Sequence, residues 1–208
     1  MKKTFFLAAA LACLLSACES KLVEQVALIP QAENVEIQNG SFALTNLQSI
    51  QAPEAWKASA ENFINDVKKT AGLQVVLATE GASVTLNENA NLPSEAYHLH
   101  ITKNGIQIEA SDVPGISHGL TSLHQLILNA KDGKLPVLNI QDKPLYGYRG
   151  LMLDCSRHFW TVDELKESID QMAFFKFNTL HMHLTDNQAW RMAVDKYPSL
   201  IQEGRFQG

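Results

Sequence analysis

Residues 145–208 carry the pattern that most restricts how this chain can fold. The segment "LMLD", which ends at Asp154, is a continuous apolar run, and "TLHMHL", which begins at Thr179, is a second predicted strand. A strand without polar alternation is typical of a parallel sheet that is buried on both faces. A predicted helix lies between the two strands, so the segment forms a predicted βαβ unit. Right-handed repetition of such units builds an open doubly wound sheet or a barrel.

The connecting helix is predicted both from its start and from its apolar face. Thr161 is followed three residues later by Glu164, the capping-box pattern of a helix amino terminus. One side carries apolar residues at helical spacing, namely Leu165, Ile169, Met172 and Ala173. Only 64 residues (208 minus 144) follow the predicted boundary, whereas a complete eight-stranded barrel takes about 250. We therefore expect an amino-terminal fragment of a longer protein, with an incomplete barrel.

Residues 19–144 predict a separate α+β domain that contains two helices. The first is expected over residues 53–71, where apolar residues recur every three or four positions and Gly72 follows as a C-cap. The second is expected after Asp112, which suits an N-cap. Its apolar stripe comprises Ile116, Leu120, Leu123 and Ile127.

The strands of this domain are predicted from alternation and from turn residues. Residues 97–110 form a predicted hairpin around Asn104-Gly105, a pair preferred where both central residues need positive φ. The segments "LQVVLA", as a buried strand, and "SVTLN" are further predicted strands. A turn is expected at Asn39-Gly40.

Residues 1–18 predict a lipoprotein signal peptide. "MKK" supplies a positive start, and the apolar run that follows is too short to span a bilayer comfortably. Because the run ends in "LSAC", we expect cleavage before Cys18 and lipidation of that cysteine; the alternative is an ordinary signal peptide with an incidental cysteine. Apart from the lipidated Cys18, Cys155 is then the one cysteine of the mature chain. We expect it to be a small buried residue without a disulfide partner. The predicted location is the outer membrane, periplasm or cell surface of a bacterium, with a membrane contact through the lipid anchor.

The charge balance excludes one class of partner. Lys and Arg total 17 against 22 for Asp and Glu, with a formal net charge of -5. No basic run is long enough to form an arm that binds nucleic acid.

Several motifs in order resemble one enzyme family. "YRGLMLDCSRHFW", "FNTLHMHLTDNQAWR" and "YPSL" are similar to the opening of the catalytic (β/α)8 TIM barrel of glycoside hydrolase family 20, the β-N-acetylhexosaminidases. "LIPQAENVEIQNGSFAL" and "GIQIEASDVPGISHGLTSLHQLI" resemble the small domain that precedes that barrel. The resemblance covers roughly residues 26–208, and it implies removal of terminal β-linked N-acetylglucosamine or N-acetylgalactosamine from oligosaccharides or glycoconjugates.

The resemblance also implies a mechanism without a cofactor. In the family, the 2-acetamido oxygen of the substrate attacks the anomeric carbon, with retention of configuration. An adjacent Asp-Glu pair, at the end of the fourth barrel strand, orients the acetamido group and supplies the general acid and base. After residue 144 the one such pair is Asp163-Glu164, at the predicted helix start. The catalytic pair is therefore expected beyond residue 208, and this chain alone is expected to be inactive.

The resemblance also implies roles for individual residues at the positions that match the family's motifs. Arg149 in "YRG" matches the family arginine that binds sugar hydroxyls, a role that suits a planar guanidinium. Asp186 matches a family aspartate at the end of the second strand. Asp154, Arg157 and His158 belong to the same motif and are expected to support the site, although a structural ion-pair network would explain them equally well.

His181 and His183 lie on one face of the second predicted strand because strand side chains alternate. We expect them to orient polar groups of a sugar site. A metal-dependent hydrolase is an alternative, in which both histidines bind zinc. A lipid-anchored, non-catalytic glycan-binding or scaffold protein is a further alternative.

Overall fold

The computed structural model describes residues 26–203, so the predicted signal peptide and Cys18 lie outside the described residues. The strands, in chain order, are β1 (Asn34–Ala43), β2 (Ser49–Gln51), β3 (Val76–Leu77), β4 (Val84–Glu88), β5 (Tyr97–Ile101), β6 (Ile106–Ala110), β7 (Lys134–Asp142), β8 (Gly150–Asp154) and β9 (Thr179–His183). The α-helices are α1 (Lys57–Ala71), α2 (Val113–Leu128), α3 (Val162–Phe174) and α4 (Ser199–Glu203), with 3₁₀ turns at Leu44–Asn46 and Glu54–Trp56. No helix in this part of the chain is long and apolar enough to cross a membrane.

The first seven strands form one mixed sheet, which confirms the predicted α+β architecture. Its order is β1-β7-β5-β6-β4-β2-β3. Helices α1 and α2 pack on each other, and α2 lies against β5 and β6. Alternation along the hairpin buries Leu99 and Ile108 beneath α2, whose predicted apolar stripe is also buried. The sheet therefore has one face in the core and one polar face.

Local signals placed three helix ends correctly, whereas α1 begins at Lys57, after a 3₁₀ turn, and not at residue 53 as predicted. The side chain of Asp112 accepts a hydrogen bond from the backbone N–H of Gly115 at 2.8 Å, as an N-cap does. Gly72 ends α1 in the left-handed conformation, with φ 69°. Thr161 and Glu164 form the expected capping box at the start of α3.

The predicted hairpin is confirmed by the antiparallel pairing of β5 with β6, whereas one predicted turn, one predicted buried strand and the expected conformation of the hairpin loop were wrong. The expected turn at Asn39-Gly40 is an irregularity within β1, where the register against β7 shifts between Gln38 and Ser41. Of "LQVVLA", only β3 is extended, and both of its residues are exposed because it is the outermost strand of the sheet. Neither central residue of the hairpin loop has positive φ.

The hairpin loop instead depends on the side chain of Thr102. Its hydroxyl oxygen accepts hydrogen bonds from the backbone N–H groups of Asn104 at 3.2 Å and Gly105 at 3.1 Å. A hydroxyl that bonds to the backbone two residues ahead makes a turn without left-handed residues.

Residues 150–183 form the predicted βαβ unit. Strands β8 and β9 are parallel, with Gly150 opposite Thr179 and Asp154 opposite His183. They pair only with each other within residues 26–203. Large apolar side chains of this unit, including Leu151, Met152, Ile169 and Met182, are exposed, and Met172 is the buried member of the predicted helix stripe. The burial on both faces expected for these strands is therefore not present in the described chain.

Candidate active site at the carboxyl ends of two parallel strands

The register of β8 and β9 brings their carboxyl ends together. Asp154 ends β8, His183 ends β9, and the two residues are paired across the strands. Arg157 follows β8 in a turn, and Asp186 follows β9 in a loop. Four of the residues expected at the site therefore meet at one edge of the unit.

The guanidinium of Arg157 joins the two carboxylates. Its Nη1 lies 2.6 Å from Asp154 Oδ2, and its Nη2 lies 2.6 Å from Asp186 Oδ2. Asp154 Oδ1 also accepts hydrogen bonds from the backbone N–H groups of Ser156 at 3.1 Å and Arg157 at 3.0 Å. The turn after β8 is thus folded around the carboxylate that ends the strand.

Asp186 is held by two further groups. His183 Nε2 lies 3.0 Å from Asp186 Oδ2, and the backbone N–H of Asn187 donates to Asp186 Oδ1 at 2.7 Å. An ionised carboxylate only accepts hydrogen bonds, so Nε2 of His183 carries the proton. His183 therefore donates a hydrogen bond to the carboxylate of Asp186.

The contacts within the cluster favour the charged form of each group. The hydrogen bonds from Arg157 hold the pKa of Asp154 below its usual value. The backbone N–H of Asn187, followed by His183, lowers the pKa of Asp186. The hydrogen bond to Asp154 raises the pKa of Arg157. The site thus presents one cation between two anions, an arrangement of charge-assisted donors and acceptors.

The side chains of two other predicted residues lie outside these hydrogen bonds, although the backbone N–H of His158 donates to the carbonyl oxygen of Asp154 at 3.4 Å. The ring of His158 contacts that of Trp160 edge to face, with centroids 5.2 Å apart. His181 lies exposed on β9. The zinc alternative required both strand histidines, and His183 is engaged with Asp186. Among residues 26–203, no group of three or more His, Cys, Asp and Glu is arranged to hold a metal ion.

Arg149 lies at the opposite end of β8, immediately before its first residue. Its guanidinium donates to both carboxylate oxygens of Glu95 and to the carbonyl oxygens of Lys176 and Tyr146. Its side chain is 14% exposed. The structure therefore does not bring Arg149 to the cluster, and this placement argues against its predicted contact with the sugar.

Comparisons with known proteins identify both parts of the chain. Residues 25–143 match the family description "Glycosyl hydrolase family 20, domain 2", and residues 146–208 match "Glycosyl hydrolase family 20, catalytic domain". The chain belongs to glycoside hydrolase family 20. A beta-hexosaminidase of Vibrio furnissii is 33% identical over 184 residues, which are 88% of this chain and 30% of that protein. A beta-N-acetylhexosaminidase of Cellulomonas fimi is 35% identical over 188 residues, 85% of this chain and 38% of that protein.

Solved structures of family 20 enzymes share the fold. An exo beta-N-acetylglucosaminidase of Vibrio harveyi in complex with N-acetylglucosamine matches with a TM-score of 0.80 and 27% identity, over 85% of this chain and 28% of that one. The beta-N-acetylhexosaminidase of Bacteroides fragilis matches with a TM-score of 0.78 and 27% identity, over 86% and 37%. The family 20 chain described here spans about a third of the length of the curated relatives it matches.

Within this family 20 chain, sequence reasoning missed the groups that orient the cluster. Ser156 and Asn187 act through their backbone N–H groups, which side-chain motifs do not indicate. The sequence alone indicates that Arg149 lies at the amino end of β8, because it precedes the apolar run of that strand. Arg157 follows the same run. The active sites of barrel enzymes lie at the carboxyl ends of the strands.

Proposed function

We propose that this chain is the amino-terminal part of a β-N-acetylhexosaminidase that removes terminal, non-reducing β-linked N-acetylglucosamine or N-acetylgalactosamine. The family and the names of its relatives support the reaction class. The observation that carries the proposal for this chain is Arg157, held between Asp154 and Asp186 where two parallel strands end. Residues 145–208 would be the start of the (β/α)8 barrel.

In this proposal Arg157 contacts the sugar, in place of Arg149. An arginine has five N–H donors, and the two carboxylates of the cluster engage two of those of Arg157. The remaining donors of this half-exposed side chain can bind two adjacent hydroxyls. The carboxylate of Asp186, oriented by His183, can accept a hydrogen bond from one of the same hydroxyls.

The bond-breaking step would follow the substrate-assisted route. The acetamido oxygen of the substrate attacks the anomeric carbon, one carboxylate stabilises the acetamido group, and a glutamate transfers the proton. Within residues 145–208, the one adjacent Asp-Glu pair is Asp163-Glu164, and the side chain of Glu164 bonds to Thr161 in the capping box. The catalytic pair of this proposal therefore lies outside the 208 residues.

The test compares the protein encoded by the complete reading frame with the 208-residue chain. We expect the former to hydrolyse an aryl N-acetyl-β-glucosaminide and the latter to show no turnover. In the active protein, Arg157→Gln should lower kcat/KM by about 10- to 100-fold, because hydrogen bonds to a charged group are lost. Lys166→Gln, on the exposed face of α3, is the control and should leave kcat/KM unchanged. Turnover by the 208-residue chain, or full activity of Arg157→Gln, would refute the proposal.

We also propose that the protein is an exported lipoprotein anchored through Cys18, on the outer membrane or cell surface. The "LSAC" sequence after a charged and apolar start supports this. Labelling with radioactive palmitate in a bacterial host should be lost in Cys18→Ser. Equal labelling of both proteins would rule the anchor out.

A further inference from the structure

The amino ends of β8 and β9 are joined to the α+β domain by buried and partly buried polar contacts. The residues that make them, which we call the junction, are Glu95, Gln125, Asp142, Arg149 and Lys176. Arg149 Nη2 lies 2.6 Å from Glu95 Oε1, and Nη1 lies 3.3 Å from Glu95 Oε2. Arg149 Nε donates to the carbonyl oxygen of Lys176 at 2.7 Å. One guanidinium therefore links the α+β domain to the segment that enters β9.

The side chain of Lys176, in the segment before β9, contacts the α+β domain. It is 7% exposed, and its Nζ lies 3.2 Å from Asp142 Oδ2 and 3.1 Å from the hydroxyl oxygen of Tyr97. That hydroxyl donates to Asp142 Oδ2 at 2.8 Å. A buried lysine persists where such partners offset its loss of water.

Gln125, a buried residue of α2, completes the junction. Its Nε2 donates to the carbonyl oxygen of Phe174 at 2.8 Å, and its Oε1 accepts from the backbone N–H of Ile29 at 2.8 Å. Phe174 is the last residue of α3, where helix carbonyls lack partners within the helix. The α+β domain thus caps the helix of the βαβ unit.

The backbone at the junction is strained on both sides. Glu95 has φ 64° and Lys176 has φ 59°. Asp132 is the one other non-glycine residue with positive φ in the part of the chain that the structure describes. Such conformations are unfavourable for a residue with a Cβ and persist where surrounding contacts impose them. The two residues are linked through Arg149.

These contacts lie beside the first backbone hydrogen bonds between the segments that enter β8 and β9. The carbonyl oxygen of Arg149 accepts from the backbone N–H groups of Asn178 at 2.9 Å and Thr179 at 3.2 Å. The βαβ unit itself leaves much apolar surface exposed. We infer that the α+β domain positions this unit: the junction holds β8 and β9 in register from their amino ends, independently of later barrel strands. Arg149 is on this view a positioning residue. The inference goes beyond the proposed hydrolysis and does not depend on it.

The test is hydrogen exchange on the 208-residue chain, read by mass spectrometry in peptides that cover β8, β9, β5 and β6. The variant is Glu95→Gln, which preserves shape and removes the charge that faces Arg149. The control is Glu109→Gln. Glu109 is a carboxylate of similar exposure, 25% against 21% for Glu95. It accepts hydrogen bonds from Asn89 and Gln107 within the α+β domain and does not touch the junction.

We expect Glu95→Gln to accelerate exchange in β8 and β9 by about tenfold, with β5 and β6 within about twofold of the unchanged chain. Glu109→Gln should leave β8 and β9 unchanged. Three results would overturn the inference: no protection of β8 and β9 in the unchanged chain, equal acceleration in all four strands, or the same acceleration in the control. Arg149→Lys, which retains the charge but not the paired geometry, provides a second variant with the same expected pattern.

Discussion

Replacement of Lys176 by methionine should destabilise the chain strongly, because it leaves Asp142 without its cation. Methionine preserves most of the apolar stem of the lysine. The carboxylate of Asp142 would keep the Tyr97 hydroxyl at 2.8 Å and the backbone N–H of Glu33 at 3.1 Å. Breaking a buried ion pair costs about 3–5 kcal/mol. Because two hydrogen bonds to the carboxylate remain, we expect the lower end, about 3 kcal/mol.

Urea denaturation followed by tryptophan fluorescence measures this loss, since Trp56 is buried in the α+β domain and becomes exposed on unfolding. With a denaturant slope of about 2 kcal/mol/M, a loss of about 3 kcal/mol lowers the midpoint by about 1.5 M. The matched control is Lys166→Met. Lys166 is 70% exposed and lies 3.9 Å from Asp163, so its replacement should change stability by less than about 0.5 kcal/mol.

A second substitution distinguishes the two possible causes of the lost stability, the uncompensated charge of Asp142 and the lost packing of Lys176. If the uncompensated carboxylate causes the loss, adding Asp142→Asn to Lys176→Met should restore at least half of the stability, since the charge is removed. A loss below about 1 kcal/mol for Lys176→Met would refute the reasoning, because it would place the cost within the range of an ordinary substitution. A double variant less stable than either single variant would refute it as well.

Three further predictions concern the α+β domain. Asp112→Ala should lower the free energy of unfolding by about 1–2 kcal/mol in urea denaturation, because the N–H of Gly115 loses its cap. Gly119→Ala should lower the melting temperature, since an added Cβ would lie 2.5 Å from Ile108 Cγ2 and overpacking costs about 1–3 kcal/mol. Burial lowers the pKa of His118 from its ordinary 6.5, so the unfolded chain binds the proton first and stability should fall as the pH drops below 6.5; a flatter pH profile of unfolding in His118→Gln checks this.

Sequence predicted the parts of the fold whose signals are local. The capping box at Thr161, the N-cap at Asp112 and the alternation of β5 each depend on residues within a few positions of one another. The edge position of β3 could not be predicted, because it depends on which strands pair. The same holds for the hairpin loop, where the hydroxyl of Thr102 replaced the backbone conformation expected from Asn104-Gly105.

The candidate site was predicted in part, because its residues lie close to strand ends that local patterns indicate. Asp154 and His183 end the two predicted strands and Arg157 and Asp186 follow them, and parallel pairing brings these residues together. The junction was missed because its partners are distant in sequence: Arg149 and Glu95 are 54 residues apart, and Gln125 and Phe174 are 49 apart. No local pattern indicates such a pair, even where each residue type is unusual at a buried position.

The two arginines of the "YRGLMLDCSRH" motif show why a motif match does not by itself assign a role. Both lie beside β8, and both bond to carboxylates. Arg149 donates to three residues through Nε, Nη1 and Nη2 and is 14% exposed, whereas Arg157 is 50% exposed and uses one hydrogen of each terminal nitrogen. A guanidinium needs unengaged donors in an accessible position to bind a ligand. Replacement of Arg149 should therefore act on the junction, and replacement of Arg157 on the carboxyl ends of the strands, where we place the sugar.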